Sequence, residues 1–225
     1  RGAAKENQTM RFSKTALLLT VAALASAAPA LAAAPKNVFR FQVGAFLPTG
    51  DNSYEQEAGK DAPPSVDLKV DGAAAVGVAY ERRFTELFGL EVGLKYSKPN
   101  FKVDFNSGIE HKGMAGSMEA STRVMPLTLA ALFHPLQGAG KVDFFVGPEL
   151  VYAMYGSSDF ELGSTDYKNQ LTWGAKAGLD VPINPKWSFT ASVEYMDLKA
   201  EVDQSGAPGF NPKPVVVAVG AAYKF

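Results

Sequence analysis

Ionisable residues in this chain recur at every second position of otherwise apolar stretches. Arg40, Glu81, Glu91, Asp143, Asp180 and Lys224 lie toward one end of such stretches, and Lys95, Glu149, Lys176 and Glu194 toward their middle. In LTWGAKAGLDVPI the odd positions are Leu171, Trp173, Ala175, Ala177, Leu179, Val181 and Ile183, all apolar. The even positions carry Thr172, Gly174, Lys176, Gly178, Asp180 and Pro182. Opposite charges gathered on one wall pair with each other, and a lone enclosed ion would cost several kcal/mol. The chemistry these residues suit is therefore an ion-pair network. It is either a plug that stiffens the protein or the lining of a gated polar pore.

Catalytic groupings are not visible. The two histidines, His111 in EHKGM and His134 beside Pro135, fall at opposite ends of the elements described below and cannot cooperate. No His-x-Ser spacing occurs, so both are read as ordinary surface histidines, with no triad and no metal site. Cysteine is absent, which removes disulfides and thiolate ligands. The loop acids Asp51, Glu55, Glu57, Asp61, Asp159 and Asp166 read as solvated charges that bridge cations weakly at most. No enzyme activity, cofactor or metal is expected.

The elements that must position the charges are strands, because side chains of a strand point alternately to opposite faces. Phe39, Phe41, Val43 and Ala45 oppose Arg40, Gln42 and Gly44. Leu90, Val92, Leu94 and Tyr96 oppose Glu91, Gly93, Lys95 and Ser97. Val142, Phe144, Val146, Leu150 and Tyr152 oppose Asp143, Gly147 and Glu149. Trp187, Phe189, Ala191, Val193 and Tyr195 oppose Ser188, Thr190, Ser192 and Glu194. Stretches 73–83 and 122–133 are weaker but compatible. The closing run PVVVAVGAAYKF sets Val215, Val217, Val219, Ala221, Tyr223 and Phe225 against Val216, Ala218, Gly220, Ala222 and Lys224.

These make eight strands. Short connections at 84–87, 135–140 and 184–186 alternate with long ones near 48–71, 98–121, 156–170 and 199–213. That rhythm belongs to an antiparallel transmembrane β-barrel with short periplasmic turns and long outer loops, and the runs are long enough for tilted spanning strands of about 9–11 residues. A soluble sandwich or lipocalin-like barrel also alternates, but its apolar face points inward. Here Trp173, Trp187, Tyr195, Phe39, Phe41 and Phe144 share a face, and the face opposite is small or ionic. A narrow interior has little room for large rings, while Lys176 turned into lipid at mid-depth would cost about 2–4 kcal/mol. The fold class expected is all-β: an eight-stranded antiparallel transmembrane barrel with the rings outward. A barrel leaves no free edge, so the last strand must pair with the first along its length.

Composition agrees. Twenty-two basic and 23 acidic residues in 225 give a formal charge of −1 and no reason to expect nucleic acid. Mean hydropathy near zero argues against a bundle of membrane helices but not against alternating strands. From Met10 the chain reads MRFSKTALLLTVAALASAAPALAAAPK, with Arg11 and Lys14, a short apolar core Ala16–Ala25, and Ala30-Leu31-Ala32 at a cleavage position. This predicts a cleavable signal peptide over 10–32. Residues 1–9 then form an upstream extension without a fold, and 33–225 the mature barrel.

The C-terminal third resembles the OmpW/AlkL family of small outer-membrane channels. The carrying residues are Trp187, Ser192-Val193-Glu194-Tyr195-Met196-Asp197, Pro212 or Pro214, and Gly220 with Tyr223-Lys224-Phe225. Upstream, PLTLAALF (Pro126–Phe133), DFFVGPELVYAMY (Asp143–Tyr155) and TWGAKAGLDVPIN are similar to the family's fourth, fifth and sixth strands. Before residue 122 the resemblance is thin, and the first outer loop has no match. The resemblance implies a monomeric barrel in the outer membrane, in contact with lipid and lipopolysaccharide. It implies passage of small hydrophobic solutes through an apolar upper lumen to a lateral gap. Tyr223 and Phe225 resemble the terminal signature read by the barrel-assembly machinery.

Against that expectation, the outer parts of the inward faces carry Val151, Ala153, Tyr155, Met196, Leu198, Val216 and Ala218, an apolar funnel. Pro126 and Pro148 fall within strands, where proline donates no ladder hydrogen bond. They mark either a lateral opening or a bend or bulge. The competing function is a non-conducting structural or adhesive barrel of the OmpA/OmpX type. An ion-pair ladder reaching the outer end would favour that reading, and an apolar lining would favour transport.

Overall fold

The computed structural model describes residues 37–50, 53–54, 65–106, 116–136, 142–156, 158–160, 163–165, 167–200 and 211–225. The signal peptide, the upstream extension and His111 lie outside them.

Eight strands close into one barrel: β1 (Asn37–Leu47), β2 (Ala73–Arg83), β3 (Phe88–Ser97), β4 (Val124–Leu136), β5 (Asp143–Tyr155), β6 (Gln170–Pro182), β7 (Trp187–Met196) and β8 (Val215–Lys224). Each pairs antiparallel with its sequence neighbour, and β1 pairs with β8 from Val38↔Lys224 to Leu47↔Val215. Closure continues one step further, where Asn37 and Phe225 exchange N–H to carbonyl bonds of 3.0 Å. The terminal aromatic is thus a member of the seam.

Side-chain chemistry sets the two short turns within the described residues. After β2, the Thr85 hydroxyl accepts the N–H groups of Leu87 and Phe88 at 3.2 and 3.0 Å. After β6, the Asn184 side-chain oxygen accepts those of Lys186 and Trp187 at 3.0 and 2.8 Å. Short polar side chains of this kind stand in for backbone acceptors and hold tight turns.

The faces divide as alternation requires. Trp173 is 58% exposed and Phe41 52%, whereas Lys176 is 1% exposed. At the short-turn end Trp187, Tyr223 and Phe225 form a chain of rings with centroids 4.9 and 5.8 Å apart, an interfacial girdle typical of such barrels. Two phenylalanine rings, Phe46 and Phe145, break the expected pattern. Phe145 points inward and is 2% exposed. Space for it comes from Gly178, where any Cβ would collide with that ring and with the Ala191 carbonyl oxygen.

Two features depart from the sequence reading. β4 runs from Val124 to Leu136 rather than over 122–133, with a register shift between Phe133 and Leu136 against β5. The segments read as long loops also contain strands. Ser53–Tyr54, Ser65–Val70, Asn100–Asn106 and Gly116–Ser121 form a four-stranded sheet, and Ser158–Phe160 pairs with Gly163–Thr165. Alternation in SVDLKV and NFKVDFN was the available signal; both runs are shorter than a membrane-crossing strand.

Candidate functional site

The interior is layered. Toward the short-turn end, Arg40 of β1 reaches three other strands: Glu81, Glu91 and Asp180, each at 2.8 Å. Arg83 contacts Glu81 at 2.9 Å and Asp143 at 2.5 Å. Above them Lys176 meets Glu91 at 2.6 Å and Glu194 at 3.0 Å, and Lys95 pairs with Glu194. Lys95 on β3 and Glu194 on β7 face each other across the barrel, so these contacts tie walls that share no backbone hydrogen bond. All these side chains are buried. The guanidinium of Arg40 also lies 4.6 Å from the Phe145 ring centroid and the Lys176 ammonium 5.8 Å from it, within cation–π range.

Nine of the expected interior charges, namely Arg40, Glu81, Glu91, Lys95, Asp143, Glu149, Lys176, Asp180 and Glu194, are buried in the lumen. Lys224 lies half-buried at the short-turn rim, and no ion pair is formed by it among the described residues. Two members escaped the sequence reading. Arg83 alternates in phase with Glu81 at the end of β2, a signal that was present. His134, expected as a surface residue, is fully buried. Its Nδ1 lies 2.9 Å from Asp143 and its Nε2 2.9 Å from Glu81. The shifted end of β4 carries it inside the barrel instead of into a turn.

Toward the long-loop end the lining turns apolar. Val151, Ala153, Met196, Leu198 and Val216 form one buried cluster with Phe46, Ala75 and Val124, and Tyr155 packs against it. Ala218 is buried outside that cluster. These side chains touch one another, so the layer is a closed apolar seal above the ionic one.

Both prolines lie where pairing lapses. β3 and β4 pair continuously from Phe88↔Phe133 to Leu94↔Leu127 and resume at Ser97↔Val124. The interruption covers Lys95 and Tyr96 opposite Pro126 and Met125. Between β4 and β5 pairing stops after Ala130↔Glu149 and resumes at Phe133↔Val146, a gap that contains Pro148. Pro126 is buried and Pro148 exposed, so the first faces the lumen and the second lipid.

A closed antiparallel barrel, apolar outside and ionic within, whose strands pair all the way round apart from the local lapses at the two prolines, defines a transmembrane β-barrel of the outer membrane. The chain belongs to the outer membrane protein β-barrel domain family, whose pattern matches residues 18–225. It is 27% identical over 183 residues to outer membrane protein W of Salmonella typhi, covering 71% of this chain and 84% of that protein. The crystal structure of OprG from Pseudomonas aeruginosa has a TM-score of 0.65 at 20% identity, covering 85% of this chain and 96% of OprG. The solid-state NMR structure of AlkL in DMPC bilayers gives 0.54 at 18% identity, covering 88% and 95%. The expected kinship with the OmpW/AlkL barrels is borne out, and the protein resides in the outer membrane.

Proposed function

We propose that this barrel admits small hydrophobic solutes through its outer end and releases them sideways into the membrane. The observation that carries the reading is the change of lining along the axis. Ion pairs fill the lumen up to Lys95, Lys176 and Glu194, and from Val151 outward the lining is mainly apolar, with Ser97 and Thr122 as buried polar members. An apolar seal excludes water and ions, because dewetting such a constriction costs little and charging it costs much. An apolar solute replaces one set of dispersion contacts with another as it passes, and Met196 is a pliable member of the seal. The ionic floor beneath opposes straight-through flow, which leaves the wall as the exit. The lapse in the β3–β4 ladder at Pro126 lies in that wall. In this reading the protein performs no reaction, since His134 is enclosed by Glu81, Asp143 and their partner Arg83.

A second reading, a structural or adhesive barrel, is favoured by one observation: the four-stranded sheet formed by the long connections. Vesicles separate the two. Purified barrel in lipid vesicles should speed entry of hydrophobic solutes over protein-free vesicles. No acceleration for any solute, together with loss of cell adhesion on deleting the outer sheet, would overturn the transport reading.

A further inference from the structure

Five of the six buried carboxyl groups of the lumen form an ion pair with a buried cation: Glu81, Glu91, Asp143, Asp180 and Glu194. Glu149 does not. It is 3% exposed, neither of its oxygens has a hydrogen-bond partner, and it forms no ion pair among the described residues. The buried cations are Arg40, Arg83, Lys95 and Lys176, with His134 held between two carboxylates. Four permanent cations and one histidine thus face six carboxyl groups, and the carboxyl left without an ion pair is Glu149.

Its position is equally specific. The next inward residue on β5 is Val151, a member of the apolar seal. Its register partners are Ala130 on β4 and Gly174 on β6, neither of which offers a side-chain hydrogen-bonding group. The carboxyl therefore stands at the floor of the apolar layer, with Lys95 and Lys176 already engaged by Glu194 and Glu91. A buried carboxylate without a partner costs several kcal/mol, a cost the group escapes by taking a proton or by gaining a cationic partner.

We propose that Glu149 receives the protonated amine of a small amphipathic solute whose apolar body lies in the seal above it. The inference rests on the passage reading and names a substrate class for the same lumen. An ammonium supplies the missing charge and N–H donors for both carboxylate oxygens, giving charge-assisted hydrogen bonds. An alkyl chain of the same molecule meets Val151 and Met196. A neutral alcohol of equal length keeps the apolar contacts and lacks the charge.

The test uses hexylamine and 1-hexanol as probes, with calorimetric titration of the barrel in zwitterionic DMPC nanodiscs and subtraction of empty discs. The native barrel should bind hexylamine at least about tenfold more tightly than hexanol. Glu149→Gln should remove that preference and leave hexanol binding unchanged. Equal hexylamine affinity in the native and E149Q barrels would overturn the proposal. Glu149→Asp, which keeps the charge, should retain part of the preference. Should neither variant fold, the carboxyl carbon resonance of Glu149 in glutamate-labelled native protein must move on adding hexylamine; a static signal overturns the proposal. Vesicle flux separates the two readings. Hexylamine binding without solute entry refutes passage alone, and solute entry with no effect of E149Q refutes the amine site alone.

Discussion

The Arg40 guanidinium lies over the face of Phe145, 4.6 Å from the ring centroid, while contacting Glu81, Glu91 and Asp180. One cation thus couples the buried Phe145 ring to carboxylates from three strands. The ring holds its place because Gly178 offers no side chain. Gly178→Ala should therefore destabilise the barrel by about 1–3 kcal/mol through overpacking, read from urea unfolding in micelles. Ala177→Leu, one step away on the lipid face, should stay within about 0.5 kcal/mol. Equal effects would mean that Phe145 does not fill that space.

Lys176 contacts Glu91 and Glu194, whereas Ala175 faces lipid. Lys176→Leu orphans carboxylates that stay buried and should cost about 3–5 kcal/mol. Ala175→Leu adds apolar surface against acyl chains and should be nearly neutral. Matching unfolding midpoints for the two variants would contradict the assignment of faces.

His134 offers a sharper test of the plug, since the sequence alone suggests a dispensable surface residue. His134→Leu removes the group between Glu81 and Asp143, and Arg83 remains as their shared partner. The loss should be about 2–4 kcal/mol, below that of Lys176→Leu, because compensation is partial. An unchanged unfolding curve would place the ring outside the network.

The proposed lateral exit can be tested with a reversible bridge. The chain has no cysteine, so a pair at Tyr96 and Met125, which face each other across the interrupted part of the β3–β4 ladder, reports on that stretch alone. Oxidised Y96C/M125C barrel should admit hydrophobic solutes more slowly than the same protein reduced. A bridge at Val92 and Leu129, where pairing is intact, should change nothing. Flux that ignores the first bridge would move the exit elsewhere.

Alternation by itself determined the number of barrel strands, the closing partner of the last strand and the face of nearly every side chain. Period two is a local property, and lipid outside with a narrow lumen inside leaves only one tolerable register for Trp173 and Lys176. Arg83 was legible on the same rule. What sequence could not decide is which inward charges meet, because partners such as Lys95 and Glu194 lie far apart in the chain and are joined only by closure and stagger of the whole cylinder. His134 entered the lumen through a register shift in β4, and Phe145 was admitted by a glycine on another strand. The same holds for Glu149. Its place among alternating charges was evident, but its lack of a partner is a fact of three dimensions: the cations of the network had already been claimed by other strands.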